Sequence, residues 1–118
     1  MNQAIRAITE AEKHKGPSIV ICYCPCIEHG IKNGMCNSIK EEKLDVECGY
    51  VILMRYLEST LYIDSPEPIF EKYSDFLNNE VRYNALKLKN EKLAKKLLED
   101  QKQNAINRYD YYKTMNRY

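Results

Sequence analysis

Residues 18–24, Ser-Ile-Val-Ile-Cys-Tyr-Cys, constrain the fold more than any other part of the chain. They are rich in β-branched side chains and are apolar at both odd and even positions, which is typical of a strand buried on both faces in a parallel sheet. Pro25 follows directly and ends the strand, because it has no amide hydrogen to donate. Such a strand needs neighbouring strands at its sides and helices above and below it.

A second stretch of the same character, residues 50–56, predicts a second strand. Between the two, Ser38 and Glu41 have the spacing of a capping box, in which a hydroxyl and a carboxylate satisfy free backbone amides at a helix start. The predicted helix ends at Gly49, a residue suited to the left-handed conformation that closes many helices. This order predicts an α/β fold with a right-handed βαβ unit, whose parallel strands are about 18–24 and 50–56.

Amphipathic helices are predicted on both sides of this unit. Residues 2–14 have apolar side chains at helical spacing. Residues 57–70 predict a loop that carries one edge strand, at 61–63. Helical spacing resumes at 71–88 and again from Asn90, where the predicted buried line is Leu93, Leu97, Ala105, Tyr109 and Tyr112.

The 118 residues are enough for one domain. We expect residues 1–56 to form the first helix and the βαβ unit, residues 57–70 a loop, and residues 71–118 a helical tail. Two strands buried on both faces need more helices and strands than this chain supplies. We therefore expect a single but incomplete domain over residues 1–118.

Charge and composition exclude several functional classes. Lys and Arg number 18 and Asp and Glu 17, without a basic stripe, so no nucleic-acid partner is expected. The longest uncharged run, residues 16–27, is far shorter than the roughly 20 residues that cross a bilayer, so no membrane partner is expected. The first residues lack the apolar core of a secretory signal, and five cysteines are an odd number for a disulfide framework. We therefore expect reduced thiols in the cytoplasm.

Three cysteines, Cys22, Cys24 and Cys26, recur at every second position, so they point to the same side of an extended strand. No Cys-x-x-Cys pair, the usual turn for zinc ligands, occurs in the sequence. We interpret Cys22 and Cys24 as packing residues. Cys26 stands at the carboxyl end of the predicted strand, where ligands gather in open α/β sheets. Its thiolate suits one ligand of a shared metal or iron–sulfur site, because Cys36 and Cys48 lie on a loop and a helix.

His29 leaves two other functions open. With Cys26 it could form a Cys/His nucleophile pair, although three residues of separation in a turn do not place the imidazole within hydrogen-bond reach of the thiol. A structural hydrogen-bonding role is the simpler interpretation. The other open function is a small zinc site, with a ligand set of Cys24, Cys26, His29 and Cys36.

Several blocks of the sequence resemble, in order and spacing, the C-terminal end of pyruvate:ferredoxin (flavodoxin) oxidoreductases. The most specific block is Pro25-Cys26-Ile-Glu-His-Gly, together with the apolar strand before it. The others are residues 34–35, 41–50, 55–56, 61–68, 75–77, 80–83 and 108–113. The resemblance covers nearly the whole chain but only about the last tenth of those long multidomain enzymes.

This resemblance implies a partial thiamine-diphosphate-binding-type domain and a parent enzyme that oxidatively decarboxylates pyruvate to acetyl-CoA and CO2. Enzymes of that family use thiamine diphosphate with Mg²⁺ and pass electrons singly through iron–sulfur clusters to ferredoxin or flavodoxin. The resemblance also implies that Cys26 is one ligand of a [4Fe-4S] cluster. The family's other cluster cysteines and its Gly-Asp-Gly metal motif have no counterpart here. Two positions depart from the family pattern, namely Cys24, where serine, alanine or threonine is usual, and Val51, where an aromatic residue is usual.

The same resemblance gives expectations for partners and location. We expect the remainder of a homodimeric oxidoreductase, and through it ferredoxin or flavodoxin, pyruvate and coenzyme A, in the cytoplasm or in an organelle of an anaerobic protist. This chain alone is expected to be inactive and to contain no catalytic residue. The alternative is a non-catalytic helical interaction module, or a remnant without cofactor, because residues 71–113 and the chain's ten tyrosines could form an interface.

Overall fold

The structure of the chain, a computed structural model, describes residues 2–28 and 30–115. None of the helices within these ranges is both long and apolar enough to cross a membrane. The elements, in chain order, are α1 (Asn2–Lys13), a 3₁₀ turn (Met35–Asn37), α2 (Ser38–Glu47), β1 (Met54–Leu57), β2 (Thr60–Ile63), a second 3₁₀ turn (Phe70–Lys72), α3 (Tyr73–Asn79), α4 (Val81–Lys89) and α5 (Glu91–Met115).

The buried core lies where α2, α3 and α5 meet. Tyr73, Phe76 and Leu77 of α3 are spaced as one face of a helix, and that face points inward. The cluster is completed by Cys48, which follows α2, and Ala105 of α5, with Leu44, Tyr50, Phe70 and Leu98 packed against it. The core therefore joins two segments that are far apart in the sequence.

β1 and β2 form an antiparallel hairpin in which Met54 pairs with Ile63 and Leu57 with Thr60. Glu58 and Ser59 make the two-residue turn, and both have positive φ angles, 48° and 66°. Two positive φ angles match the right-handed twist of the paired strands, as in the tight turns that close most hairpins. The edge strand predicted at residues 61–63 is confirmed within β2.

The chain combines helices and strands as expected, but the parallel βαβ unit is not confirmed. Residues 18–24 form no strand, and their apolar side chains are open to solvent, with Ile19 86% and Ile21 91% exposed. The second predicted strand is shifted to Met54–Leu57 and pairs with β2 instead. The reason is local for β1, because its hairpin partner lies two residues away, whereas residues 18–24 pair with no strand among the described residues. The thiamine-diphosphate-type architecture stays a prediction.

The two ends of α2 differ in how well the sequence predicts them. The capping box is wrong, because a 3₁₀ turn leads into the helix and no side chain caps its amino end. Glu41 is turned toward the interior instead. The left-handed cap is confirmed, since Gly49 has a φ of +80°. Gly49 is also tightly packed, because a Cβ there would lie 2.8 Å from the Cβ of Pro68.

The helix predicted over 71–88 is broken at Glu80, which separates α3 from α4. Glu80 has an extended backbone, with ψ of 117°, and forms an isolated antiparallel bridge with Ile31. The amide of Lys32 donates to the carbonyl of Asn79 at 2.7 Å, and the amide of Val81 donates to the carbonyl of Gly30 at 3.2 Å. The break thus holds the loop that follows the cysteine stretch against the helices.

α5 begins after Asn90, as predicted. The Asn90 side-chain oxygen accepts a hydrogen bond from the amide of Leu93 at 3.0 Å, which is a capping interaction. Of the predicted buried line, Ala105 and Tyr109 are buried, whereas Leu93 and Leu97 are exposed. Arg108 donates to the carbonyls of Gly49 and Tyr50, at 3.2 and 2.7 Å, and so fastens α5 to the end of α2.

α1 is held mainly by charged and polar groups, because none of its residues is buried. The guanidinium of Arg55 in β1 donates to both carboxylate oxygens of Asp64, at 2.7 and 2.9 Å, and to Glu10 of α1. Gln3 also donates to Asp64. The apolar face of α1, with Ile5 and Ile8, is exposed.

A candidate cysteine site

Cys26 lies in an irregular segment between Pro25 and a turn at residues 27–28, and its side chain is exposed. The amide of Gly30 donates to the Cys26 carbonyl at 3.3 Å, which closes the turn. Gly30 has a φ of +68° and is part of the connection to Glu80. The thiol of Cys26 has no hydrogen-bond partner among the described residues.

A cavity of about 140 Å³ opens beside Cys26, with room for a few water molecules. Its walls come from the cysteine stretch, from the end of α2 and from the junction of α3 and α4. The lining residues are Tyr23, Cys24, Cys26, Tyr50, Phe76, Glu80, Arg82 and Tyr83. Two cysteines, Cys24 and Cys26, thus share one cavity.

Aromatic side chains form the frame of this cavity. The ring centroids of Tyr50 and Phe76 are 4.7 Å apart, and those of Tyr50 and Tyr23 are 6.4 Å apart. The hydroxyls of Tyr50 and Tyr83 share a hydrogen bond of 2.9 Å. Burial raises the pKa of both Tyr50 and Tyr23, because it disfavours the charged phenolate. The frame is therefore neutral at physiological pH.

The remaining cysteines have other roles in this structure. Cys22 and Cys36 are exposed and do not line the cavity. Cys48 is fully buried, its thiol donates to the carbonyl of Asp45 at 3.5 Å, and burial raises its pKa to about 11. The interpretation of Cys22 and Cys24 as packing residues does not hold here, because both are exposed. Cys48 is the cysteine that packs.

The described residues contain no group of three or more His, Cys, Asp or Glu side chains that could hold a metal ion. His29 lies outside the described residues, so the Cys/His pair and the zinc set of Cys24, Cys26, His29 and Cys36 both stay hypotheses. Cys26 as one ligand of a [4Fe-4S] cluster stays a prediction. The other ligands of a four-cysteine cluster would have to come from elsewhere.

Two carboxylates are buried in this structure, although the sequence pattern indicated only a capping role for Glu41 and no role for Asp45. Glu41 and Asp45 are one helical turn apart on α2 and face the interior. Asn79 donates to one oxygen of Glu41 at 3.3 Å, while the other oxygen, Oε1, is buried without a hydrogen-bond partner. Burial, together with the charges of Glu42 and Glu41, raises the pKa of Asp45 to about 7. The helical spacing of positions 41, 45 and 48 could have indicated their burial, because it places both carboxylates on the same face as Cys48.

Comparisons with known proteins identify relatives of this chain. No protein-family model matches it. The pyruvate-flavodoxin oxidoreductase of Klebsiella pneumoniae is 40% identical over 121 residues, which cover 97% of this chain and 10% of the relative. The pyruvate:ferredoxin oxidoreductase of Moorella thermoacetica is 37% identical, with the same coverage of both chains. The mitochondrial pyruvate dehydrogenase [NADP(+)] of Euglena gracilis is 32% identical, over 98% of this chain and 7% of the relative.

These matches agree with the resemblance noted in the sequence and include the block around Cys26. The chain spans about a tenth of the length of the curated relatives it matches. Over nearly its whole length, the chain is therefore homologous to a segment of the pyruvate-flavodoxin and pyruvate:ferredoxin oxidoreductases.

Proposed function

We propose that this chain is the C-terminal piece of an enzyme that oxidatively decarboxylates pyruvate to acetyl-CoA and CO2. In this proposal electrons leave through iron–sulfur clusters to ferredoxin or flavodoxin. The observation that carries the proposal is the homology over 97% of the chain to an enzyme named pyruvate-flavodoxin oxidoreductase. The enzyme would be a cytoplasmic homodimer, or organellar in an anaerobic protist.

In this proposal Cys26 gives one thiolate to a [4Fe-4S] cluster. The exposed thiol, which has no hydrogen-bond partner among the described residues, supports this role. A bound cluster would supply one-electron transfer. Cys26 would bind one corner of the cluster, and the turn to Gly30 would hold Cys26 in position. Thiamine diphosphate and Mg²⁺ would be bound by other parts of the enzyme, because this chain has no Gly-Asp-Gly motif.

The remainder of the enzyme would also supply the sheet that residues 18–24 lack. These residues have the composition of a strand buried on both faces, yet Ile19 and Ile21 are exposed here and residues 19–25 make no backbone hydrogen bond in the described structure. Unpaired backbone groups and exposed apolar side chains are both satisfied when such a segment joins a sheet. The chain alone would accordingly be inactive.

A non-catalytic interaction module is the second candidate. It is favoured by apolar side chains on α4 and α5 that contact solvent, with Leu88 84% exposed and Leu93 and Leu97 also exposed. Such side chains are typical of a surface that a partner covers. This function requires no cluster, so iron content separates the two candidates.

The test is a chimera of the Klebsiella pneumoniae enzyme in which this chain replaces the matching segment. We expect pyruvate- and coenzyme A-dependent reduction of a viologen dye, and the iron content of the parent enzyme. A matched deletion without the segment is the control and should be inactive. A folded dimeric chimera that holds thiamine diphosphate but lacks one [4Fe-4S] equivalent and shows no turnover would contradict the proposal.

A further inference from the structure

We propose that Cys24 and Cys26 form a reversible disulfide with each other whenever Cys26 holds no iron. The disulfide itself does not depend on the proposed function. Its consequence does, because a Cys26 sulfur engaged in a disulfide cannot bind a cluster. Cys24 would then be a resolving thiol that protects the cluster ligand against further oxidation.

The first support is the position of the two side chains. Both line the same cavity of about 140 Å³, and both are exposed to a small oxidant. Cys22 stands at the same spacing from Cys24 as Cys26 does, but it does not line this cavity. Cys48 is buried in the core and Cys36 lies within the 3₁₀ turn before α2. The cavity thus distinguishes the pair 24/26 from the other pairs.

The second support is the freedom of the backbone. In an extended chain, residues two apart have Cα atoms roughly 6 to 7 Å apart, at the upper end of the range of about 4.4 to 6.8 Å for a disulfide. A small contraction is needed. Residues 19–25 make no backbone hydrogen bond in the described structure, so no such bond opposes that movement.

The chemistry can use oxidised glutathione as oxidant. The Cys26 thiolate attacks one sulfur of glutathione disulfide, forms a mixed disulfide and releases one glutathione thiolate, which takes up a proton. The Cys24 thiolate then attacks the Cys26 sulfur and releases the second glutathione. The cysteine pair loses two electrons and two protons, and one glutathione disulfide becomes two thiols. Excess dithiothreitol reverses the reaction.

The test uses the full 118-residue chain, incubated anaerobically with oxidised glutathione and then treated with N-ethylmaleimide. Trypsin releases residues 16–32 as one peptide with three cysteines, because no Lys or Arg lies within it before Lys32. We expect this peptide to carry a single maleimide and to be two mass units lighter than the same singly labelled peptide with its other two cysteines reduced. The Cys22→Ser variant should give the same loss of two mass units with no maleimide.

The matched control is Cys26→Ser, which keeps Cys22 and Cys24 at the same spacing. We expect its disulfide to form at least about tenfold more slowly than that of Cys22→Ser, and we expect this difference to shrink in concentrated guanidinium chloride. Equal rates in the folded chain would overturn the proposal, since spacing alone would then explain the reaction. A stable mixed disulfide with glutathione, or a Cys26–Cys36 disulfide, would overturn it as well.

A separate measurement distinguishes this proposal from the function proposed above. In the chimera, oxidised glutathione added before iron and sulfide should prevent loading of one [4Fe-4S] equivalent and leave no glutathione on Cys26. In the Cys24→Ser chimera the same treatment should leave Cys26 as a stable mixed disulfide with glutathione, because the resolving thiol is gone. If the Cys24–Cys26 disulfide forms but loading is unchanged, Cys26 is not a cluster ligand. The disulfide would stand in that case and the ligand assignment would fail.

Discussion

Asp45 gives the most quantitative prediction from this structure. Its side chain is only 2% exposed, and burial raises its pKa from the usual 3.8 to about 7. Between these two values the unfolded chain releases the proton while the folded chain keeps it. The free energy of unfolding contributed by Asp45 therefore falls as pH rises from about 4 to about 7, and is constant at higher pH. Substituting Asp45→Asn removes this titration.

The size of the effect follows from the two pKa values. Each pH unit between 3.8 and about 7 corresponds to about 1.4 kcal/mol, so the full difference is roughly 4 kcal/mol. Local opening that lets water reach the carboxylate lowers this value. We therefore expect the stability of Asp45→Asn relative to the unsubstituted chain to increase by about 2 to 4 kcal/mol between pH 4 and pH 8.

Urea unfolding followed by far-ultraviolet circular dichroism at pH 4, 6 and 8 measures this difference. Asp100→Asn is the matched control, because Asp100 lies on the exposed side of α5. The profile of this exposed substitution is the baseline for comparison. The reasoning is refuted if the relative stability of Asp45→Asn depends on pH in the same way as that of the control, or if it decreases as pH rises.

Two further predictions concern packing and charge. Gly49→Ala should lower the free energy of unfolding by about 2 kcal/mol or more, because φ is +80° and the new Cβ would meet Pro68. Gly49→Asn should destabilise similarly in urea unfolding, since its Cβ meets the same neighbour; full stability of the Asn variant would show that backbone conformation alone matters. Arg55→Met should cost about 3 kcal/mol, because Asp64 loses its buried partner. Limited proteolysis should show α1 released, and unchanged protection would contradict the role of Arg55.

Signals that depend on neighbours in the sequence predicted the local structure well. The left-handed end of α2 at Gly49, the start of α5 at Asn90 and the strand at residues 61–63 are all present. Each depends on backbone preferences of a few adjacent residues, which the sequence states directly. The inward face of α3, with Phe76 and Leu77, also follows from simple helical spacing.

Interactions between distant residues account for what the sequence did not predict. The break at Glu80 depends on a bridge to Ile31, and no local breaker residue marks it. The sequence pattern of residues 18–24 predicts a buried strand, but burial needs partner strands, and these residues pair with none in the described part of the chain. β1 pairs with β2 because its nearest partner follows a tight turn. The periodicity of a segment indicates which secondary structure it prefers. Whether that structure forms depends on the other segments that are available to pair with it.

The sequence selects Cys26 as a candidate ligand from its place after Pro25, but it does not give the surroundings of that residue. The ligand role of Cys26 stays a prediction, and the structure leaves its side chain exposed. Only the fold shows that Cys24 lines the same cavity as Cys26 and that Tyr50 and Phe76 form part of its wall. The end of α2 and the junction of α3 and α4 come together there. The acids at 41 and 45 were visible as a helical face, but only burial shows that one oxygen of Glu41 has no partner.

The most direct test of the central claim is the electron paramagnetic resonance spectrum of the dithionite-reduced chimera. If Cys26 is a cluster ligand, Cys26→Ser should remove the signal of one [4Fe-4S] cluster and a matching share of iron. The control Cys36→Ser, an exposed cysteine away from the cavity, should keep both. An unchanged spectrum in Cys26→Ser, or loss of the same signal in the control, would contradict the claim.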